Sequence, residues 1–126
     1  FSEVRMARTL ALIGTAVQDA GVCCWETKFY YYTPRPQQFS LKTSIGLPNF
    51  PGYTSGHSTF SGAAAEVLSY VFPEQAGKFQ EQAKQASESR VFGMIHFRSD
   101  CDAGLICGKN IGAYAVSRGK ADGSGL

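Results

Sequence analysis

A run of helix-forming residues extends from Ser58 to Phe72 and reads STFSGAAAEVLSYVF. It contains no proline, and Ser58 at its start is a residue type that commonly caps a helix through its hydroxyl group. The small side chains of the segment SGAAA, at positions 61–65, allow another helix to approach closely. We therefore predict a helix over residues 58–72 that packs tightly against its neighbours.

Three further helices are predicted on either side of this one. Residues 2–32 carry apolar side chains every three or four positions, the spacing of an amphipathic helix, until prolines at 34 and 36 end the pattern. Residues 73–95 begin with a proline and continue with good helix formers, and residues 100–117 place their apolar side chains on one face. We predict an all-α fold, a helical bundle of about four main helices.

One long irregular segment interrupts the helical pattern. Residues 37–56 contain two prolines and three glycines and show no sustained period. A loop of about 20 residues inside a compact domain is usually functional. We therefore predict one long functional loop between the first and second helices.

The composition excludes several broad classes of protein. The chain has 126 residues, about one domain, and its 44% hydrophobic and 17% charged residues are typical of a globular protein rather than a disordered or fibrous one. The formal net charge of +2 gives no sign of a nucleic-acid or membrane-surface partner. No stretch approaches the roughly 20 apolar residues of a membrane span, so none is predicted.

The four cysteines lie at Cys23, Cys24, Cys101 and Cys107. They form no CxxC pair, which disfavours a zinc site or a thioredoxin-type redox motif. Buried thiols and a disulfide both remain open from the sequence, and so does the redox compartment.

His57 follows Ser55 and Gly56 at the junction of the long loop and the second helix. Backbone N–H groups at a helix start are unpaired and carry the positive end of the helix dipole. Gly56 lets an oxyanion approach the main chain, Ser55 adds a hydroxyl donor, and His57 can exchange protons with the bound anion. The alternative interpretation is a polar helix entry without catalytic function.

His96 is the second histidine, and Asp100 follows it by four residues. If the backbone is helical there, the carboxylate of Asp100 stacks over the imidazole ring and fixes its tautomer, leaving the other nitrogen free to attack or to ligate. Arg90 lies six residues before His96, so it can share the same side. A structural His–Asp cap between helices is the alternative.

Lys28 and Arg35 are separated by seven residues, two helical turns. Their simplest interpretation is interaction with the helix dipole or with solvent. Combined with Arg90, however, they supply three cations beside two neutral donors and two histidines. This set suits a tetrahedral oxyanion, whose charged oxygens are met by the cations and amides while the histidines take the axial positions.

The order and spacing of these residues resemble the three-part signature of the type 2 phosphatidic acid phosphatase and vanadium-dependent haloperoxidase superfamily. The matching segments are Lys28-x6-Arg35-Pro36, Ser55-Gly56-His57 and Ser89-Arg90-x5-His96-x3-Asp100. The resemblance covers roughly residues 15 to 118 and is greatest to the soluble, haloperoxidase-like bacterial branch. Thr54 departs from the family pattern, which usually has proline there, and we expect it to loosen the turn that aims the Ser55 and Gly56 donors.

In a phosphatase, the resemblance implies that His96 attacks phosphorus, oriented by Asp100, while His57 protonates the leaving group and later activates water. It implies that the phosphoryl group is bound by Lys28, Arg35, Ser55, Gly56 and Arg90. This reading implies an acid-phosphatase-like hydrolase of phosphoric monoesters that needs no cofactor or metal.

In a haloperoxidase, the resemblance implies that the same pocket binds vanadate, with His96 as the metal ligand, and oxidises halide with hydrogen peroxide. Trp25 and Phe50 are candidate aromatic walls for this reaction. Ala64 lies where bromoperoxidases of the family tend to have an additional histidine, which argues against that subclass. A third hypothesis is a non-catalytic domain that binds an oxyanion or is purely structural.

Residues 1–118 are predicted to form the catalytic helical domain and residues 119–126 a flexible tail. Since soluble members of the family are usually much longer, we expect this domain to be the core of a larger all-α protein without its upstream helices. The expected partner is a small phosphorylated substrate, phosphate or vanadate, with no nucleic acid; a homo-oligomer and contact with an upstream segment both stay open. We expect a soluble protein, bacterial and periplasmic or secreted.

Overall fold

A computed structural model describes residues 1–125 and confirms the all-α prediction. Four α-helices are present in this part of the chain, and no strand occurs in it. They are α1 (Glu3–Tyr31), α2 (Gly56–Val71), α3 (Ala76–Phe92) and α4 (Arg98–Ala121), with short 3-10 helices at Pro36–Phe39 and Pro73–Gln75. The long loop between α1 and α2 is irregular apart from the first 3-10 helix, as predicted.

The predicted N-cap of α2 was wrong. Ser55 caps this helix, because its Oγ accepts a hydrogen bond of 3.3 Å from the backbone N–H of Ser58. Ser58 instead lies buried in the first turn, where its hydroxyl is 2.8 Å from the hydroxyl of Ser87 on α3. The second helix therefore begins at Gly56, and His57 lies within its first turn.

Two other helix boundaries differ from the predictions. The segment predicted over 73–95 divides into the 3-10 helix Pro73–Gln75 and α3, which ends at Phe92. Helix α4 starts earlier than residue 100 and continues past residue 117 to Ala121, so the predicted tail is helical at its start. Gly119 is buried there, and a Cβ at this position would lie 3.2 Å from Leu12 on α1. Leu126 lies outside the described residues, and the domain boundary at residue 118 stays a prediction.

Helices α2 and α4 pack closely because α4 presents a row of glycines at intervals of four residues. A Cβ at Gly104 would lie 2.9 Å from the carbonyl oxygen of Ser55, and one at Gly112 would lie 2.8 Å from that of Ala63. Side chains larger than hydrogen would push the two backbones apart. The small residues of α2 thus meet an equally small surface on α4.

The hydrophobic core lies between α1, α2 and α4 and consists largely of small side chains. Its buried members are Leu12, Ala16, Ala20, Ala63, Val67 and Ala115. Larger residues surround it in partly buried positions, among them Phe60, Tyr70 and Ile111. None of the helices within residues 1–125 combines the length and apolar character required to cross a bilayer.

This arrangement gathers the motif residues at one end of the bundle. Lys28 lies near the C-terminus of α1, Ser55 and Gly56 at the N-terminus of α2, Arg90 near the C-terminus of α3, and Asp100 in the first turn of α4. The α1–α2 loop covers the same end.

Candidate active site

His96 lies in the short connection between α3 and α4 and is 5% exposed. Its Nδ1 is 3.1 Å from Asp100 Oδ2, and the same oxygen accepts a hydrogen bond of 3.1 Å from the backbone N–H of Phe97. Asp100 therefore reaches the imidazole from the first turn of α4. The contact was expected from helical stacking, but His96 is outside the helix, and N-terminal capping geometry produces the contact instead.

Arg35 fixes the other side of the imidazole. Its Nη1 is 3.2 Å from His96 Nε2, and because a guanidinium only donates, Nε2 must be the acceptor. The ring is then the neutral Nδ1–H tautomer, with its proton donated to Asp100. Burial lowers the pKa of His96, an effect that Asp100 opposes and that the charges of Arg35 and Lys28 reinforce.

The guanidinium of Arg35 is itself held by the backbone. It donates to the carbonyl oxygen of Phe50 at 3.0 Å, to that of Ile95 at 2.8 Å and to that of Pro51 at 3.3 Å. Burial lowers the pKa of this guanidinium, which nevertheless stays charged at any ordinary pH. Arg35 consequently presents a buried, oriented cation beside His96.

A cavity of about 330 Å³ opens in front of this pair. His57, Arg90 and Gly56 line it together with Arg35 and His96. His57 is exposed, and its pKa is lowered by partial burial and then by the positive charge of Arg90. The cavity therefore joins two cations, two imidazoles and the N-terminus of α2.

One wall of the cavity is apolar. Trp25 packs against Phe50 with ring centroids 5.2 Å apart and against Phe60 with centroids 6.0 Å apart. Both phenylalanines also line the cavity, and a Cβ at Gly56 would lie 3.7 Å from the indole ring of Trp25. The cationic and imidazole side chains of the cavity thus face a hydrophobic surface.

Buried contacts hold the turn before α2, in which Thr54 lies. The Thr54 hydroxyl lies 3.2 Å from the hydroxyl of Thr59 and 3.5 Å from Cys24 Sγ. The backbone N–H of Ser55 donates to the carbonyl oxygen of Asp100 at 2.9 Å. These contacts attach the N-terminus of α2 to α4, and the loosening expected at Thr54 stays a prediction.

Lys28 is fully buried beneath the loop and does not line the cavity. Its Nζ donates to the carbonyl oxygens of Pro51, Gly52 and Thr54. Burial lowers the pKa of this ammonium to about 8. Lys28 therefore fastens the loop before Ser55, and its direct contact with an anion stays a prediction. Ser55 is likewise buried behind the cavity.

The comparisons with known proteins agree with this architecture. Residues 37–122 match the family model described as the VCPO second helical-bundle domain. The chain is 30% identical to a crystal structure titled as the first bacterial vanadium-dependent iodoperoxidase, with a TM-score of 0.79 over 87% of this chain and 33% of that one. It is also 31% identical over 102 residues to a non-specific acid phosphatase of Providencia stuartii, covering 75% of this chain and 41% of the relative. A non-specific acid phosphatase of Salmonella typhi is 34% identical over 80 residues, which cover 64% of this chain and 30% of that protein.

The chain belongs to the type 2 phosphatidic acid phosphatase and vanadium-dependent haloperoxidase superfamily. It spans between 30% and 41% of the length of these relatives. The structure brings five residues of the family signature together at one cavity. Four line it, and Asp100 contacts one of these, His96; the lining residues are Arg35, His57, Arg90 and His96.

Sequence reasoning missed several residues at this candidate site. Phe60 follows Gly56 by one helical turn, so helical spacing could have placed it on the cavity face. Ile95 receives the Arg35 guanidinium through its backbone carbonyl, for which a side-chain pattern gives no signal. Gly52 lets the loop pass close to Asp100, because a Cβ there would lie 3.1 Å from Oδ2.

Proposed function

We propose that this chain carries the catalytic centre of an acid-phosphatase-like hydrolase of phosphoric monoesters, acting through a phosphohistidine. The observation that supports this proposal is the hydrogen-bonded series Asp100–His96–Arg35. It holds the His96 imidazole neutral, with the Nε2 lone pair directed toward the Arg35 guanidinium. The similarity to two acid phosphatases supports the same reaction class.

His96 is the proposed nucleophile. Its Nε2 lone pair attacks phosphorus while the bond from phosphorus to the leaving alkoxide oxygen breaks, so the phosphoryl group passes to the ring. The N–H of Arg35 that now reaches Nε2 turns to a phosphoryl oxygen as the substrate binds. Asp100 stabilises the positive charge that develops on the imidazole.

His57 is the proposed acid and base. In its protonated form it gives a proton to the leaving alkoxide, and in its neutral form it then takes one from the water that attacks phosphorus. This water releases inorganic phosphate and restores Nε2 of His96. An exposed imidazole on the cavity wall is placed for exchange with both substrate and solvent.

In this proposal, the cations and the start of α2 stabilise the negative charge on the phosphoryl oxygens. Arg35 and Arg90 line the cavity, and their planar guanidinium groups bind two oxygens at once. The backbone N–H of Gly56 lies at the positive end of the α2 dipole. The buried Ser55 and Lys28 are proposed to complete the charge-binding set.

Vanadate-dependent haloperoxidase activity is the second candidate, supported by the similarity to the iodoperoxidase structure. The cavity fits vanadate as it fits phosphate, because two guanidinium groups and a neutral Nε2 suit a tetrahedral oxyanion. His96 would ligate it, and Arg35 and Arg90 would neutralise its oxygens. Bound vanadate would supply the centre at which hydrogen peroxide is activated for halide oxidation.

Hydrolysis of p-nitrophenyl phosphate tests the first candidate. We expect turnover that orthovanadate inhibits, and we expect His96→Ala to lose at least about a thousandfold in kcat, since the nucleophile is removed. Added imidazole, which can occupy the vacated space, should restore part of the rate. An unchanged rate in a folded His96→Ala chain would contradict the assignment.

Iodide oxidation separates the two candidates. The chain is incubated with orthovanadate, hydrogen peroxide and iodide, and triiodide formation is followed by absorbance, with vanadate omitted as the control. Vanadate-dependent triiodide without phosphate release would favour the haloperoxidase. Failure of both reactions in a folded chain that still binds vanadate would leave an oxyanion-binding domain.

A further inference from the structure

We propose that Cys23 and Cys107 are a site of oxidative modification and form an intramolecular disulfide that joins α1 to α4. Their sulfur atoms lie 3.3 Å apart although the residues are 84 positions apart in the sequence. Both are free thiols in the structure. The fold has therefore placed two thiols in contact across a helix interface.

The other two cysteines have different surroundings. Cys24 is completely buried and contacts the Thr54 carbonyl oxygen at 3.5 Å, and Cys101 is 1% exposed in the interior. Cys23 and Cys107 are both partly exposed. Among the four cysteines, only Cys23 and Cys107 thus combine sulfur–sulfur contact with access for an oxidant.

A dissolved disulfide such as oxidised glutathione supplies the oxidising equivalents. The Cys23 thiolate attacks one glutathione sulfur, forming a mixed disulfide and releasing one glutathione thiolate. Cys107 loses its proton to solvent and attacks the Cys23 sulfur, which releases the second glutathione. Two protein thiols are oxidised as one glutathione disulfide is reduced to two thiols.

The environment makes this exchange slow at Cys107. Burial, followed by the neighbouring Cys23, raises the pKa of the Cys107 thiol to about 12. Cys107 is therefore protonated at neutral pH, and the thiolate that attacks is a minor species. We expect oxidation to accelerate as the pH rises from 7 to 9.

The cross-link would close most of the chain into one loop. A disulfide that closes a long loop restricts the unfolded chain strongly, so the oxidised protein should melt about 10 °C higher than the reduced protein. Reduction should return the melting temperature to the lower value.

Thiol counting and variants test the proposal on the full chain. After treatment with oxidised glutathione, denatured protein should show two reactive thiols in place of four and should run as a monomer on a non-reducing gel. Trypsin releases Cys23 with Cys24 on one peptide and Cys101 with Cys107 on another, so variants are needed to assign the bond.

Cys23→Ser and Cys107→Ser should each abolish the bond and the gain in melting temperature. Cys24→Ala and Cys101→Ala are the matched controls and should retain both. Four reactive thiols after oxidation, a bond that survives in Cys23→Ser, or a disulfide-linked dimer would each overturn the proposal. Because no readout depends on turnover, its failure is distinct from failure of the proposed hydrolase activity.

Discussion

Asp100 connects the two histidine segments of the chain. Its carboxylate contacts His96 Nδ1 at 3.1 Å, while its backbone carbonyl accepts the N–H of Ser55 at 2.9 Å. The residue thus orients the imidazole with its side chain and positions the start of α2 with its main chain. Replacement of the side chain alone leaves the second contact intact, so the two functions are separable by mutation.

Partial burial, and after it the positive charge of Arg90, lowers the pKa of His57. Because Arg90 lowers the pKa of His57, Arg90→Gln should raise that pKa toward the ordinary value near 6.5. The proposed acid is active when protonated, so the alkaline limb of kcat/KM against pH should move to higher pH. The maximal rate should fall, because a proposed anion-binding group is lost. Arg90→Lys keeps the charge and serves as the control.

The measurement is a pH profile of p-nitrophenyl phosphate hydrolysis. An alkaline limb at the same pH in wild type and Arg90→Gln would show that the charge of Arg90 does not govern this titration. A limb that shifts equally in Arg90→Lys would contradict the electrostatic explanation.

At the scale of elements, Lys28 fastens the loop to α1. Lys28→Met leaves three buried carbonyl oxygens without their donor, and we expect unfolding free energy to fall by about 3 kcal/mol or more. Urea unfolding measures this loss. Lys109→Met, on the exposed surface of α4, is the matched control and should change stability by less than about 0.5 kcal/mol.

The same lysine predicts a pH dependence with a defined sign. Its folded pKa of about 8 is below the ordinary 10.5, so the unfolded chain binds more protons between these values. The free energy of unfolding should therefore rise across this range through the contribution of Lys28. Lys28→Met should lose that contribution. If the free energy of unfolding of the variant still rises with pH as steeply as that of the wild type, the assignment to Lys28 is contradicted.

The glycine row of α4 determines how closely it packs on α2. A Cβ at Gly108 would overlap the carbonyl oxygen of Thr59 and lie 2.9 Å from the Ala63 nitrogen. Gly108→Ala should therefore destabilise the protein by about 2 kcal/mol or more. Gly14 is an exposed position on α1, and a Cβ there would have no atom within 4 Å. Gly14→Ala should therefore stabilise the protein by about 1 kcal/mol. Equal melting temperatures for the two variants would refute the packing argument.

For the whole molecule, the site depends on the convergence of four helix ends and the loop. An oxyanion held by groups from separate elements binds the folded chain and not the unfolded one. Orthovanadate at about 100 times its dissociation constant should therefore stabilise the protein by about 2.7 kcal/mol. Thermal unfolding with increasing orthovanadate measures this effect, and Arg90→Ala should need more of the anion for the same rise. A melting temperature that stays constant as orthovanadate is added to a folded chain would argue against an oxyanion site.

Much of the fold and of the motif set was predictable from local pattern. Apolar spacing and the prolines after Thr33 identified the helices and the long loop, since both act over a few residues. The exact start of α2 was not predictable, because Ser55 and Ser58 are both competent caps and burial of Ser58 against Ser87 decided between them. The orientation of Lys28 was likewise a property of the folded loop.

The sequence by itself determined the helical class, the family and the residue types of the candidate site, because these depend on composition and spacing along the chain. Only the tertiary structure decided that Arg35 fixes the tautomer of His96, that Lys28 binds loop carbonyls and that Cys23 meets Cys107. Those contacts join positions far apart in sequence. They arise when α1 and α4 pack with α2 and the loop closes over one end, and local periodicity carries no information about such distances.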